Sequence, residues 1–328
     1  MYTISSESEA AAAIKSLEES GDSRDYPHPA RMYGVGYWIK RRFGIPEFVP
    51  LDNWDIQHSP PMNNGIRERE KALAIPFLLY NEEQKANYDG AGKTSIVVGS
   101  SFVHCKELEG ISVSDSARGT LAFPAHSTIQ VELRCDWDGY AESLLALPAR
   151  YQPVEVCLYY REVLNGASRP FLRRGITVHC AGHHCDDAFP LNFYRILRNF
   201  RFSTSNSVGS FAYYSVDLGI PFFIFGPDVK LFNHGGDSGF VKDRETTFLS
   251  PETVDHQLIR REVDLFTYDL THPVEITARI KEYVATRLGT RNRYREAEIR
   301  SRIWRRYLRL VVTAAPRAFL RILRRMPS

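Results

Sequence analysis

Three groups of side chains in this sequence suit the handling of a phosphorylated leaving group. The first is His126, in F-P-A-H-S-T at residues 123–128. An imidazole at the end of an apolar run can protonate a departing phosphate oxygen or hold it electrostatically. Ser127 and Thr128 add hydroxyl donors beside it. The second group is S-T-S-N-S-V-G-S at residues 203–210, just before a helical run at 211–218. Ser205, Asn206, Ser207 and Ser210 are helix-capping residue types, and Gly209 lets backbone approach a ligand closely. A helix start next to free hydroxyls attracts anions. The third is Y-Y-R-E, where Tyr160 and Glu162 end an apolar run; Glu162 can bind ribose hydroxyls or act as a base. Each group also has a plainer reading, as a capped helix, a loop histidine or a surface carboxylate.

Two further turns carry polar groups. Gly182-His183-His184 follows the run 176–180 and offers backbone and imidazole to a nucleobase. His183, His184, Cys185, Asp186 and Asp187 are metal-ligating types. Adjacent ligands point apart on most backbones and the spacing fits no zinc pattern, so no metal site is expected. In the first half Asp55 and His58 sit at a strand end, and His58 is the expected base facing an acceptor. G-V-G-Y-W-I-K at 34–40 lacks the G-x-G-x-x-G spacing, so no nicotinamide fingerprint is present. D-G-A-G-K-T at 89–94 lacks the spacer of a phosphate loop.

These residues need strands to hold them. Apolar runs at 75–80 and 95–99 alternate with helical stretches, which predicts a parallel α/β unit. A second series begins near residue 116, with strands at 119–124, 154–160, 176–180, 201–204 and 221–225. Loops at the carboxyl ends of parallel strands are where such sheets bind ligands. The expected architecture is therefore two Rossmann-like parallel-sheet domains, over 1–115 and 116–270, followed by helices over 271–328. Residues 227–240 read as loop, and a helix is expected over 7–19.

Composition agrees with a globular chain: 328 residues, 43% hydrophobic and 25% charged, with a net charge of +3. Five scattered cysteines without a C-x-x-C pair point to free thiols in a reducing compartment. The opening residues lack a basic, then apolar, leader pattern, so no secretory signal is expected. No apolar window is long enough to span a bilayer. Charge is uneven: residues 300–325 hold nine Arg and no acid, leaving the remainder mildly acidic. Ile303, Trp304, Tyr307, Leu308, Val311 and Val312 recur at helical spacing there, which suits an anionic membrane surface. A helix packed on the body with a solvated basic face is the alternative. Nucleic acid is not an expected partner, because no reading motif accompanies the charge.

The pieces FPAHST (123–128), VEVCLYYRE (154–162), GITVHCAGHH (175–184) and STSNSVGSFAYYSVDLGIPFFIFG (203–226) together resemble the donor half of bacterial surface-polysaccharide glycosyltransferases of the GT-B type. The likeness is to sialyl- and Kdo-transferase-like families, in which a His-Pro pair and a Ser/Thr-Ser pair hold the donor phosphate. Here Ser127 stands in the place of that Pro, and Ser205-Asn206-Ser207 in place of the Ser pair. The resemblance covers residues 115–230. It implies a GT-B-like fold and a nucleotide-activated sugar donor of CMP or UDP type. His126, Ser127, Thr128, Tyr160, Gly182, His183 and the 205–210 cluster would form the donor site. It further implies a glycan or lipid-linked acceptor, no separate cofactor, and a cytoplasmic enzyme at the inner face of the plasma membrane. A phospho-polyol transferase, a nucleotide-sugar epimerase and a non-catalytic scaffold remain open on the same resemblance.

Overall fold

The computed structural model describes residues 1–20, 28–57, 65–128, 130–235, 242–251, 256–292 and 294–323. Its strands, in chain order, are β1 (Tyr2–Ile4), β2 (Asp55–Ile56), β3 (Phe77–Leu79), β4 (Ser95–Val97), β5 (Thr120–Ala122), β6 (Val131–Arg134), β7 (Val154–Cys157), β8 (Val178–Cys180), β9 (Phe202–Ser205), β10 (Phe222–Ile224), β11 (Lys230–Asn233) and β12 (Glu245–Thr246).

The larger sheet has the order β1-β8-β7-β5-β9-β10. Its last five strands are mutually parallel, and β1 joins the edge antiparallel to β8. Taken in chain order those five strands lie 3-2-1-4-5, the doubly wound arrangement. Side chains alternate between two covered faces, as the two-residue period of a strand requires. Leu121 and Phe222 enter the layer with Phe102, Phe193 and Tyr214, whereas Ala122 and Phe223 enter the layer with Tyr140, Val156 and Phe171.

The smaller sheet, β2-β3-β4, is also parallel. Ile56, Leu78 and Ile96 pack with Ile39, Phe43 and Trp54 on one face, and Phe77 and Leu79 with Tyr88 on the other. Its second helix, Glu82–Gly90, starts at Asn81, whose Oδ1 accepts the Gln84 N–H at 2.8 Å. The expectation of two parallel α/β sheets is met. A third, antiparallel sheet, β12-β11-β6, was not foreseen, and β11 falls where a loop was expected. Four residues of Lys-Leu-Phe-Asn carry too little periodicity to read as a strand. Their pairing with β6 and the burial of Leu231 against Val131 and Leu133 supply the order.

Segments from both ends of the sequence pack on the sheet far from them along the chain. Residues 2–20, assigned with the first unit, sit on the larger sheet: Tyr2 is in register with Cys180, and Ala10, Ala13 and Leu17 of the helix Glu7–Ser20 are buried beside Val154 and Val156. Conversely, the final helix, Glu296–Leu323, returns to the smaller sheet, burying Ile299 and Ile303 among Ile39, Val49, Trp54 and Ile56. Across the middle, Phe102 stacks on Tyr214 with centroids 4.1 Å apart and planes within 4°. Lys106 pairs with Asp217 at 2.6 Å nearby.

The buried stripe of the last helix anchors it. Ile303→Ala is expected to cost roughly 2–4 kcal/mol of stability, read as a shift in the urea midpoint at unchanged slope. A change of only a few tenths would show that the helix is not part of the core.

Candidate functional site

A doubly wound sheet opens a crevice where neighbouring strands send their crossovers in opposite directions. Here that point lies between β5 and β9, which pair in parallel with Ala122 opposite Thr204. The pairing continues past the strand ends. Phe123 N–H donates to the Thr204 carbonyl at 2.8 Å, and Ala125 N–H to Asn206 Oδ1 at 2.9 Å. Asn206 Nδ2 then donates to the Pro227 carbonyl at 3.3 Å. One amide thus ties together the turns after β5, β9 and β10. Its capping residue type had suggested ligand binding, but its hydrogen bonds are spent on the scaffold.

A cavity of about 260 Å³ opens beside these turns. Both polar turns reach it, through His126 on one side and Ser210 on the other. Tyr33 and Phe102 line it from the first half of the chain, with Phe123, Tyr159, Phe189, Phe193, Phe211 and Tyr214 from the second. No Lys, Arg, Asp or Glu is among the described residues that line it. The walls are stacked rings: Phe211 lies on Phe123 at 5.4 Å and 10°.

His126 is held by its neighbours. Nδ1 donates to the Ser127 carbonyl at 3.0 Å, since a carbonyl can only accept, and this fixes the tautomer. In the neutral ring Nε2 therefore carries the lone pair. The imidazole lies against the Tyr159 ring with centroids 4.3 Å apart. Burial raises the Tyr159 hydroxyl well above its ordinary value, so it stays neutral, and it meets the Tyr33 hydroxyl at 3.4 Å.

Glu162 does not end a strand as expected. β7 stops at Cys157, and Glu162 lies in the short helix Tyr160–Leu164. Its side chain is buried, and Oε1 accepts the Ser127 N–H at 2.7 Å. Oε2 is buried without a hydrogen-bond partner among the described residues. Desolvation raises the carboxyl above its ordinary value, and the nearby His126 opposes that rise. The carboxylate grips the backbone of the residue after His126, so Glu162 is a positioning residue rather than part of the cavity wall.

Other expected contacts turn out to be structural. Ser127 Oγ accepts the Leu133 N–H at 3.1 Å, and Thr128 Oγ1 accepts the Val131 N–H at 3.1 Å, so both hydroxyls build the turn into β6. Ser205 Oγ accepts the Ser207 N–H at 3.1 Å, and both residues are buried. Gly209 is the N-cap of the helix Ser210–Leu218 in extended conformation, and no side chain caps that start. Of this first turn Ser210 and Phe211 line the cavity, while the Ala212 N–H is spent on the Gly209 carbonyl at 3.0 Å.

After β8, within residues 181–189, only Ala181 and Phe189 line the cavity; Gly182, His183 and the neighbouring Tyr160 are absent from its described lining. Gly182 has φ 109°, and Tyr160 packs on His183 with centroids 4.5 Å apart. Tyr33 N–H donates to the His184 carbonyl, and Trp38 Nε1 to the Asp187 carbonyl at 2.9 Å. A Cβ on Gly34 would stand 2.5 Å from the Asp187 carbonyl oxygen, so only glycine allows this approach of the two halves. The same turn overrides the expectation that adjacent ligands diverge: the donor atoms of His183, His184 and Cys185 all lie within 4.8 Å of one another. Among the described residues those three are a group that could hold a metal ion.

His58 lies outside the described residues. Asp55, read with it, is buried at the start of β2 and is absent from the cavity's described lining. Burial raises its carboxyl, with Glu70 adding to the effect and Arg69 opposing it. The aromatic residues of the cavity were the main omission of the sequence reading. Tyr33, Phe102 and Phe211 carry no local signal, because an aromatic at helical spacing reads as core.

The raised carboxyl of Glu162 sets a pH dependence. Folded protein keeps this proton after the unfolded chain has released it, so stability falls as pH climbs past 4.5 and is restored below it. Glu162→Gln retains the acceptor for Ser127 but not the buried charge. This variant is expected to melt a few degrees above the parent at about pH 7, the gap closing at about pH 4. Melting curves across that range check it; a variant less stable at neutral pH would reject the sign.

No family model matches the sequence, and no curated protein matches it. Among solved structures the chain is similar to the UDP-GlcNAc 2-epimerase from Neisseria meningitidis bound to UDP-GlcNAc, at 12% identity and a TM-score of 0.34. The alignment covers 68% of this chain and 64% of that one, which is less than two thirds of its length. A likeness at this level carries no argument about chemistry.

Proposed function

We propose that this chain is a glycosyltransferase that moves a sugar from a nucleotide-activated donor to a cell-surface polysaccharide or lipid-linked acceptor. The observation that carries the proposal is the shared cavity of His126 and the uncapped helix start at Ser210, at the switch point of a doubly wound sheet. Stacked aromatic walls suit a flat base or the face of a sugar ring. In transfer, the bond from the anomeric carbon to the donor phosphate breaks, a bond to the acceptor oxygen forms, and the acceptor hydroxyl gives up its proton to solvent. Charge grows on the departing phosphate. A protonated His126 donates through Nε2 while Nδ1 stays bound to the Ser127 carbonyl, and the helix start adds roughly half a positive charge.

That supply of positive charge is small. One imidazole and one helix start match a single phosphate better than a diphosphate, which favours a donor of the CMP type over the UDP type. Glu162 holds the loop that presents His126, and so acts on the reaction through position.

The test is thermal shift with CMP, CDP, UDP and GDP. CMP at saturation is expected to raise the melting temperature by roughly 3–8 °C and to exceed the others. His126→Ala should keep the fold but reduce transfer about 100-fold or more. Silence with every nucleotide would replace the transferase by a non-catalytic scaffold; a larger response to UDP would overturn the single-phosphate assignment.

A further inference from the structure

The basic tail and the smaller sheet build a second cavity, remote from the first. It has a volume of about 670 Å³ and is lined by Lys93, Arg302, Arg305, Arg306 and Arg309, with no carboxylate among its described lining. Pro76 and Thr94, which also line it, precede β3 and β4. The cavity therefore sits at the amino edge of that sheet. Phe102, which lines the first cavity, lies beyond the carboxyl end of β4, so the two sites face opposite ways.

Little of this charge is neutralised within the protein. Arg302 pairs with Glu298 at 2.6 Å. Arg305 donates to Ser301 Oγ at 2.8 Å and Arg306 to the Asn53 carbonyl at 3.1 Å, both neutral acceptors. Lys93 Nζ donates to the Leu73 carbonyl at 3.0 Å. Among the described residues these five cations form one ion pair, Arg302 with Glu298, with Asp89 also acting on Arg302 electrostatically, and such a cluster attracts an anion bearing several oxygens.

The same helix presents an apolar ridge beside the hollow. Leu308, Val311 and Val312 share one face and are 46–68% exposed, whereas Leu310 turns toward the hollow and lines it. Phe48, itself 66% exposed, lies 5.8 Å from the Trp304 ring and extends the ridge. Five of the eight exposed large apolar side chains in the described residues are thus gathered at this one end. Among the described residues no helix is long and apolar enough to cross a membrane. An apolar ridge flanked by arginines is the pattern of a helix lying in a lipid interface, where apolar burial and headgroup attraction act together.

We propose that this end of the molecule docks on an anionic lipid surface, with the ridge from Phe48 to Val312 in the interface and a lipid phosphate headgroup in the five-cation hollow. The assignment stands apart from the transferase reading, since it uses neither the first cavity nor its residues. Removing the whole tail would not test it, because Ile303 belongs to the core. Point variants do. Arg305, Leu308, Arg309 and Val311 are all exposed, so Arg305→Gln with Arg309→Gln, and Leu308→Ser with Val311→Ser, should leave melting unchanged.

The experiment is flotation of the full chain with vesicles of phosphatidylcholine alone, or mixed with phosphatidylglycerol. Binding is expected only to the mixed vesicles and should weaken with salt. The double Arg variant should bind about 30-fold more weakly, and the double apolar variant should also lose flotation. Equal binding to phosphatidylcholine alone, or unchanged flotation of the Arg variant, would overturn the proposal. Stabilisation by inorganic phosphate without flotation would make the hollow a free-anion site. Binding to single-stranded DNA without flotation would make it a nucleic-acid site. Either result would reject lipid docking.

Discussion

The parallel pairing of β5 with β9 is the constraint on which the rest of this molecule depends. It sets Ala122 opposite Thr204 and so brings two turns, far apart in the chain, to one edge of one sheet. The strands are only three and four residues long. Their register is secured beyond their ends by the Phe123–Thr204 backbone bond and by Asn206, which spans three turns. A one-residue slip would exchange the two faces, sending Leu121 into the layer built for Ala122. The volumes of those side chains differ too much for either layer to absorb.

The second constraint is the seam between the two sheet units. The chain begins on the larger sheet and ends on the smaller one, so each unit is completed by a segment from the far end of the sequence. Phe102 on Tyr214, Lys106 with Asp217, and the close passage of Gly34 by Asp187 all fall along this seam. The first cavity opens on it as well, with Tyr33 and Phe102 on one side and the strand-end turns on the other. Relative motion of the units would therefore change the cavity directly. The aromatic stack and the half-buried ion pair resist such motion more than a polar domain interface would.

Electrostatics separates the two cavities. The one at the switch point has aromatic walls and one imidazole, with a buried carboxylate behind the loop that carries it. Keeping Glu162 out of water is unfavourable to its charged form. Local strain of that kind is typical of functional sites, where stability yields to placement of a group. At the other end of the molecule a hollow is lined by four guanidinium groups and Lys93, with no carboxylate among its described lining. One site thus presents aromatic rings and one imidazole, and the other five cationic side chains.

Much of the architecture was legible in the chain. Alternating apolar runs and helical stretches announced parallel sheets, because strand and helix periods are local properties. His126 and Ser210 stood out through their position after an apolar run and before a helix. Four things needed the tertiary structure. Short strands such as β11 exist only through distant partners. The hydroxyls of Ser127, Thr128 and Ser205 could be assigned to scaffold only once their backbone donors were in place. The ends of the chain exchange units because their apolar stripes fit the far sheet, which no window of sequence contains. The aromatic cavity, finally, is lined by rings from both halves, and a ring's local pattern is the same whether it fills a core or walls a pocket. Sequence thus determined the parallel strands and most helices; long-range packing decided the short antiparallel strands and which side chains meet, since contact depends on register and topology rather than on spacing along the chain.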